Sequence, residues 1–295
     1  MVMVSAKDRI GLLVVLGYLT LCFVMIILEN TQPVTMPTGK EINFLKTAQV
    51  IMSTLLFIIP SAIFCRYLRP ERSAFLNLNA VPHAYYFITA GAAIFFALPA
   101  VAGFEEWNQM IHLPSSFGSL ETWMRNKEND AAKITMIFFQ DKSTMGLIVN
   151  LLVMGLIAAL SEELFFRGVL QQMFIKNRLN VHVAIVLSAV LFSAFHLQFF
   201  GFLPRLFLGI VLGYLYHITQ NLWVSITAHF VNNSFAVVAA HFFDEELVAT
   251  PTGGVAQEQS IGIAFVLLSV AMVVGQLVFL QRFVNRIKNS SPGAD

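Results

Sequence analysis

An all-α, polytopic membrane bundle of about eight transmembrane helices is the fold the sequence predicts. Three observations predict it. Of 295 residues, 57% are hydrophobic and only 12% are charged, whereas a soluble globular chain carries about 25% charged residues. Phenylalanine occurs 28 times, and the mean hydropathy is +0.72. The apolar residues also come in unbroken runs of about 20, the length that crosses a hydrocarbon core as a helix, and not in the alternation of a barrel strand. These features exclude a secreted enzyme, a cytosolic enzyme and a disordered chain. A net charge of +1 supplies no field that would draw nucleic acid. The bilayer is the expected partner, and nucleic acid is not.

The expected spans are 10–28, 48–65, 84–104, 145–170, 183–199, 202–218, 222–243 and 261–281. The first follows Lys7, Asp8 and Arg9 and has no small-residue cleavage site behind it, so it reads as a retained span. Eight spans put both termini on one side. With the N-terminus inside, the inner segments hold ten basic residues against seven outside, and four of those seven fall in the one long loop, 105–143. The positive-inside bias therefore puts both termini in the cytoplasm, in a multi-pass protein of the plasma membrane. Cys22 and Cys65 lie inside apolar runs and read as small core residues, with no disulfide framework.

The loop 105–143 is the stretch large enough to fold outside the bilayer. A Pro114-Ser115-Ser116 break and a short interfacial helix around Leu120 to Met124 are expected there. The tail that ends Ser290-Ser291-Pro292-Gly293-Ala294-Asp295 is expected to fray. Three parts follow: 1–143 with three helices and the outer loop, 144–243 as a catalytic core, and 244–295 with the last helix and tail.

Ionisable residues inside spans are the informative ones, because each costs roughly 2.5–3.5 kcal/mol to insert. They concentrate in spans four, five and seven. Span four carries Glu162, Glu163 and Arg167, span five Phe192 and His196, and span seven His229, Asn232 and Asn233. Residues four apart share a helix face, so Glu163 can pair with Arg167, Phe192 lies over His196, and His229 lies over Asn233. Glu162 points about 100° away from Glu163 and is left as a candidate base. The bland reading of one buried His or Asn is an interhelical hydrogen bond, but a cluster on three helices argues for chemistry. His217 and His241 fall near span ends and read as interfacial. Arg205 reads as a snorkelling anchor, and Gly209 with Gly213 as a packing face.

The set Glu-Glu-x-x-x-Arg, Phe-x-x-x-His and His-x-x-x-Asn, in that order on separate apolar helices, resembles the motifs of the CPBP family. That family includes the type II CAAX prenyl proteases and bacteriocin-processing or immunity relatives. The resemblance covers about 145–240 and implies an intramembrane endopeptidase of the glutamic type. Glu162 and His196 would position and deprotonate the attacking water, and His229 and Asn233 would form the oxyanion hole. Glu163, Arg167 and Phe192 would support them. No cofactor is implied.

The chemistry is reasonable by itself, since a carboxylate and an imidazole can share a water as general base. Substrates would be a lipidated C-terminus, a peptide or a membrane-anchored protein. One alternative is a zinc-dependent peptidase using Glu163, His196 and His229, although no His-Glu-x-x-His occurs. Another is a non-catalytic immunity or scaffold protein on the same fold. Transport is a further possibility, but no repeat symmetry supports it. Depth raises a difficulty: at about 1.5 Å per residue, His229 lies about 10 Å into span seven and His196 about 20 Å past residue 183.

Overall fold

The computed structural model describes residues 6–28, 39–67, 78, 83–243 and 261–290, and those residues contain helices and no strand. In chain order the helices are α1 (Ala6–Leu28), α2 (Glu41–Arg66), α3 (Ala84–Gln109), α4 (Gly118–Phe139), α5 (Thr144–Lys176), α6 (Val181–Phe195), α7 (Phe202–Thr219), α8 (Leu222–Phe242) and α9 (Ile263–Ser290). Among the described residues six stretches are long and apolar enough to cross a membrane, those of α2, α3, α5, α7, α8 and α9. The other two expected spans are also helical, but their apolar stretches are shorter, Arg9–Cys22 and Val181–Phe195. The chain is thus a polytopic helical membrane bundle, with six spans by this measure where eight were expected. The predicted tail beyond residue 290 lies outside the described residues, as do two of the ten inner basic residues, Arg69 and Arg72.

Helix α4 corrects the expected loop. The short helix at Leu120 to Met124 is one part of a 22-residue helix, preceded by a single 3-10 turn, Ser115–Phe117, after Pro114. It carries too many charges to read as a span. Its first turn is anchored by Glu121, which accepts from Arg125 and from the Leu113 amide. The local signal was missed because α4 owes its length to burial of Ile137, Phe138 and Phe139 at its far end and not to an apolar run.

Polar groups inside the bundle are spent on helix-to-helix contacts, as the absence of water requires. Pro99 sits inside α3, and beside it Ser269 of α9 enters the helical ladder. Its hydroxyl accepts from Ala100 N at 3.1 Å and donates to Phe96 O, two groups that would otherwise bond to each other. Close approach of α3 and α9 needs Gly103, because a Cβ there would stand 2.3 Å from Val266 Cγ2.

Helix α5 carries the acidic pair. It is α-helical over Ala158–Glu163 and widens to π-helical turns on both sides, Leu151–Ile157 and Leu164–Gln171, a local change often met at functional sites. Behind it Phe165 and Phe166 pack against Phe57 of α2, and Phe166 meets Phe192 of α6 edge-on at 5.3 Å. This aromatic wall fixes α5 and α6 side by side.

Candidate active site

The four-residue spacing on α5 becomes a ladder against α7. Glu163, Arg167 and Gln171 are all fully or nearly fully buried. Arg167 donates from Nη1 to Glu163 Oε1 at 2.7 Å and from Nη2 to Gly209 O at 3.1 Å. Gln171 donates to Gly213 O at 3.2 Å. The glycines are therefore more than a packing face: without side chains they let α6 come close, and their carbonyls receive the α5 donors. A Cβ on Gly209 would lie 2.9 Å from Ala189 Cβ.

Glu163 is saturated. Besides Arg167, its carboxylate accepts from Ser225 Oγ and from His229 Nδ1, the latter at 2.9 Å. Ser225, His229 and Asn233 are again four apart on α8, so the same face rule that found the histidine could have found the serine. The Arg167 guanidinium also lies 4.5 Å from the Phe192 ring, a cation–π contact.

Glu162 instead turns into a cavity of about 100 Å³. Its walls include Phe192, His196, Arg205, His229, Asn232 and Asn233, with Ile94, Leu208 and Leu212 completing an apolar side. Glu162 Oε2 lies 3.7 Å from His229 Nε2, beyond a direct hydrogen bond. His196 donates from Nδ1 to Phe192 O at 2.9 Å, which leaves Nε2 as an acceptor. Asn233 donates to Met154 O at 3.0 Å and accepts from Asn232 Nδ2, so one N–H of its amide remains for another partner.

Despite the expected depth offset, His196 and His229 line the same cavity. Helix α6 begins at Val181, so the offset in residues stands. The Phe192 ring stands between the two histidines, 5.0 Å from His196 and 5.8 Å from His229 by centroid. Along α7 the lining runs from Arg205 to Leu212, about 10 Å of helix. The cavity is tall. Arg205 accordingly is no snorkelling anchor: it is 7% exposed, lines this space, and donates to the carbonyl and side-chain oxygens of Gln198. Its position after Pro204 suggested a span end, and only packing shows that it turns inward.

Of the alternative zinc set Glu163, His196 and His229, the Glu163 carboxylate is already engaged by Arg167, Ser225 and His229. Among the described residues no three His, Cys, Asp or Glu side chains are grouped to hold a metal ion.

Fold and cavity together define a helical integral membrane protein that encloses carboxylate, imidazole and amide groups from three helices. Residues 144–235 match the family model of the type II CAAX prenyl endopeptidases, Rce1-like. All three motifs lie within that stretch, and the resemblance read from them stands. The chain is also similar to the uncharacterized protein YpbD of Bacillus subtilis (strain 168), 28% identical over 113 residues. That alignment covers 37% of this chain and 53% of YpbD, so the chain spans about half the length of the relative it matches. No solved structure matches.

Proposed function

We propose that the chain is an intramembrane endopeptidase of the glutamic type, with its catalytic core at 144–243. One observation carries the reading: two adjacent glutamates have been given opposite fates. Glu163 is locked among Arg167, Ser225 and His229, while Glu162 faces a buried cavity with His196, His229 and Asn233. Two carboxylates with equal environments would repel and share one role; separate environments allow separate roles. The match to the prenyl endopeptidase family supports the same reading.

In this mechanism a water sits between Glu162 and His196 Nε2. Glu162 takes its proton as the oxygen attacks the scissile carbonyl, and His196 orients the water by accepting its other hydrogen. The developing oxyanion accepts from the remaining N–H of Asn233 and from His229 Nε2. For His229 to donate there while Nδ1 donates to Glu163, the ring must carry both protons, and the Glu163 carboxylate is the counter-charge for that form. Glu162 then returns its proton to the leaving amine. No covalent nucleophile is required.

The substrate class proposed is the C-terminal region of a lipidated protein or a membrane-associated peptide, reached from a plasma membrane in which both termini face the cytoplasm. The test is purified protein in detergent with two fluorogenic peptides, one carrying a C-terminal prenylated cysteine and one without the lipid. Wild type is expected to cleave at least one, Glu162→Ala neither, and activity is expected to survive exhaustive chelation. Cleavage lost on chelation and restored by zinc overturns the glutamic assignment. Binding of peptide without cleavage favours the scaffold or immunity reading instead.

A further inference from the structure

Helix α4 contributes no side chain to the cavity lining, yet it grips the segment that carries His196. That residue caps the end of α6 and is followed by Leu197 at φ 51°, a left-handed conformation that a leucine keeps only when its surroundings hold it. The surroundings do so at four points. Arg205 donates to Gln198 O at 3.1 Å. Asn108 of α3 donates to Phe199 O at 2.9 Å and accepts from Leu203 N at 2.6 Å. Glu128 of α4 accepts from Phe200 N at 3.0 Å. Trp123 and Arg125 of α4 add ring contacts, 5.5 Å to Phe199 and 4.1 Å to Phe200.

Glu128 is the unusual member of this set. It is 6% exposed, and its Oε1 is buried without a hydrogen-bond partner, a situation proteins avoid unless something is gained. Burial pushes its carboxyl above the ordinary carboxylate range, with the Phe200 amide pulling it back. The charges facing it are Arg205 of α7, Glu105 of α3 and Arg125 of its own helix. What the carboxyl gains is hold on the turn after His196, through the Phe200 amide.

We propose that Glu128 is a positioning residue for the active site: by accepting from the Phe200 amide it fixes the turn 197–203 and, through that turn, the height and orientation of His196. The proposal rests on the reading of His196 as a catalytic group. It makes α4 the clamp that aligns one end of the cavity.

The experiment uses the full chain in detergent and compares Glu128→Met, which removes the acceptor at similar volume, with Glu128→Gln, which keeps one. Hydrogen exchange of the 197–203 segment is read beside kcat and KM on the cleaved peptide. In Glu128→Met, exchange of the Phe200 amide should rise at least about tenfold through local opening. Its kcat should fall about 10²-fold, the cost of a misplacement of about 1 Å, with KM nearly unchanged. Glu128→Gln should restore both. Wild-type exchange and kcat in Glu128→Met overturn the proposal, as do equal losses of kcat in both variants without a change in exchange. If the Met variant is not monodisperse, Glu128→Ala is read against Glu128→Gln in its place. Should wild type cleave neither peptide, the peptidase reading fails, and exchange alone still decides whether Glu128 holds the turn.

Discussion

Helices α9 and α7 both cross the bundle, and they are built on opposite principles. In α9, the most apolar of the six spans, only 22% of the apolar stretch is buried against protein; in the less apolar α7 the figure is 61%. Helix α8 is the least apolar of all and 44% buried. A soluble protein would reverse this order. In lipid an apolar side chain is as well solvated by acyl chains as by its neighbours, whereas a polar one must find a protein partner. Phe265, Leu267 and Leu268 of α9 therefore face outward, and Ser269 turns inward to α3. His229 and Asn233 sit on α8, the least apolar span, because only the interior can satisfy them.

This contrast can be broken by substitution. The largest effect is expected at Glu162, where Glu162→Gln keeps the shape and removes the base. Cleavage should fall by about 10²–10⁴-fold with normal yield and melting behaviour, measured as kcat beside a thermal unfolding curve. Next is Arg167→Ala, which strands the buried Glu163 carboxylate. It should cost about 3–5 kcal/mol of stability, visible as lost monodisperse protein in size-exclusion chromatography. Equal recovery and full activity for Arg167→Ala would show that the α5 ladder is dispensable.

Asn233→Ala should lower kcat by about 10²–10³-fold with KM retained, the loss typical of one oxyanion donor. On the other side of the comparison, Leu268→Ala on the lipid-facing surface of α9 should shift stability by no more than about 0.5 kcal/mol. A loss there as large as that of Arg167→Ala would mean that α9 is covered by protein and not by lipid.

The smallest effect concerns α4. Hydrogen bonds from Arg125, with the Leu113 amide and His112 behind them, hold the Glu121 carboxyl down at about 2. A group lowered in the folded state stabilises above its unfolded value of about 4.3 and loses that contribution as pH falls towards 2. Exchange protection at residues 112–125 should therefore hold at pH 5 and decline between pH 4 and 2. In Glu121→Gln that decline should be absent.

The helical class was written in composition and run length, because a bilayer demands about 20 apolar residues and a closed backbone whatever the neighbours do. The acidic, histidine and asparagine motifs were legible for a related reason: a polar group in an apolar run is costly enough to stand out by itself. Spacing by four then gave the Glu163–Arg167 pair, and applied more fully it would have given Gln171 and Ser225.

What tertiary structure alone decided is which polar groups meet. Nothing local separates Arg205 from a snorkelling arginine, since the direction of its guanidinium depends on Gln198, 7 residues earlier in the turn before α7. The split between Glu162 and Glu163 was expressed as an angle in the sequence, but which one is consumed depended on Ser225 and His229, more than 60 positions away. Helix α4 is the clearest case. Its polar sequence marks a segment outside the apolar runs, while its hold on the His196 turn arises only from Glu128 meeting Phe200 across 72 positions. Hydropathy is a property of each residue and is read locally; partnership is a property of pairs, and folding chooses them.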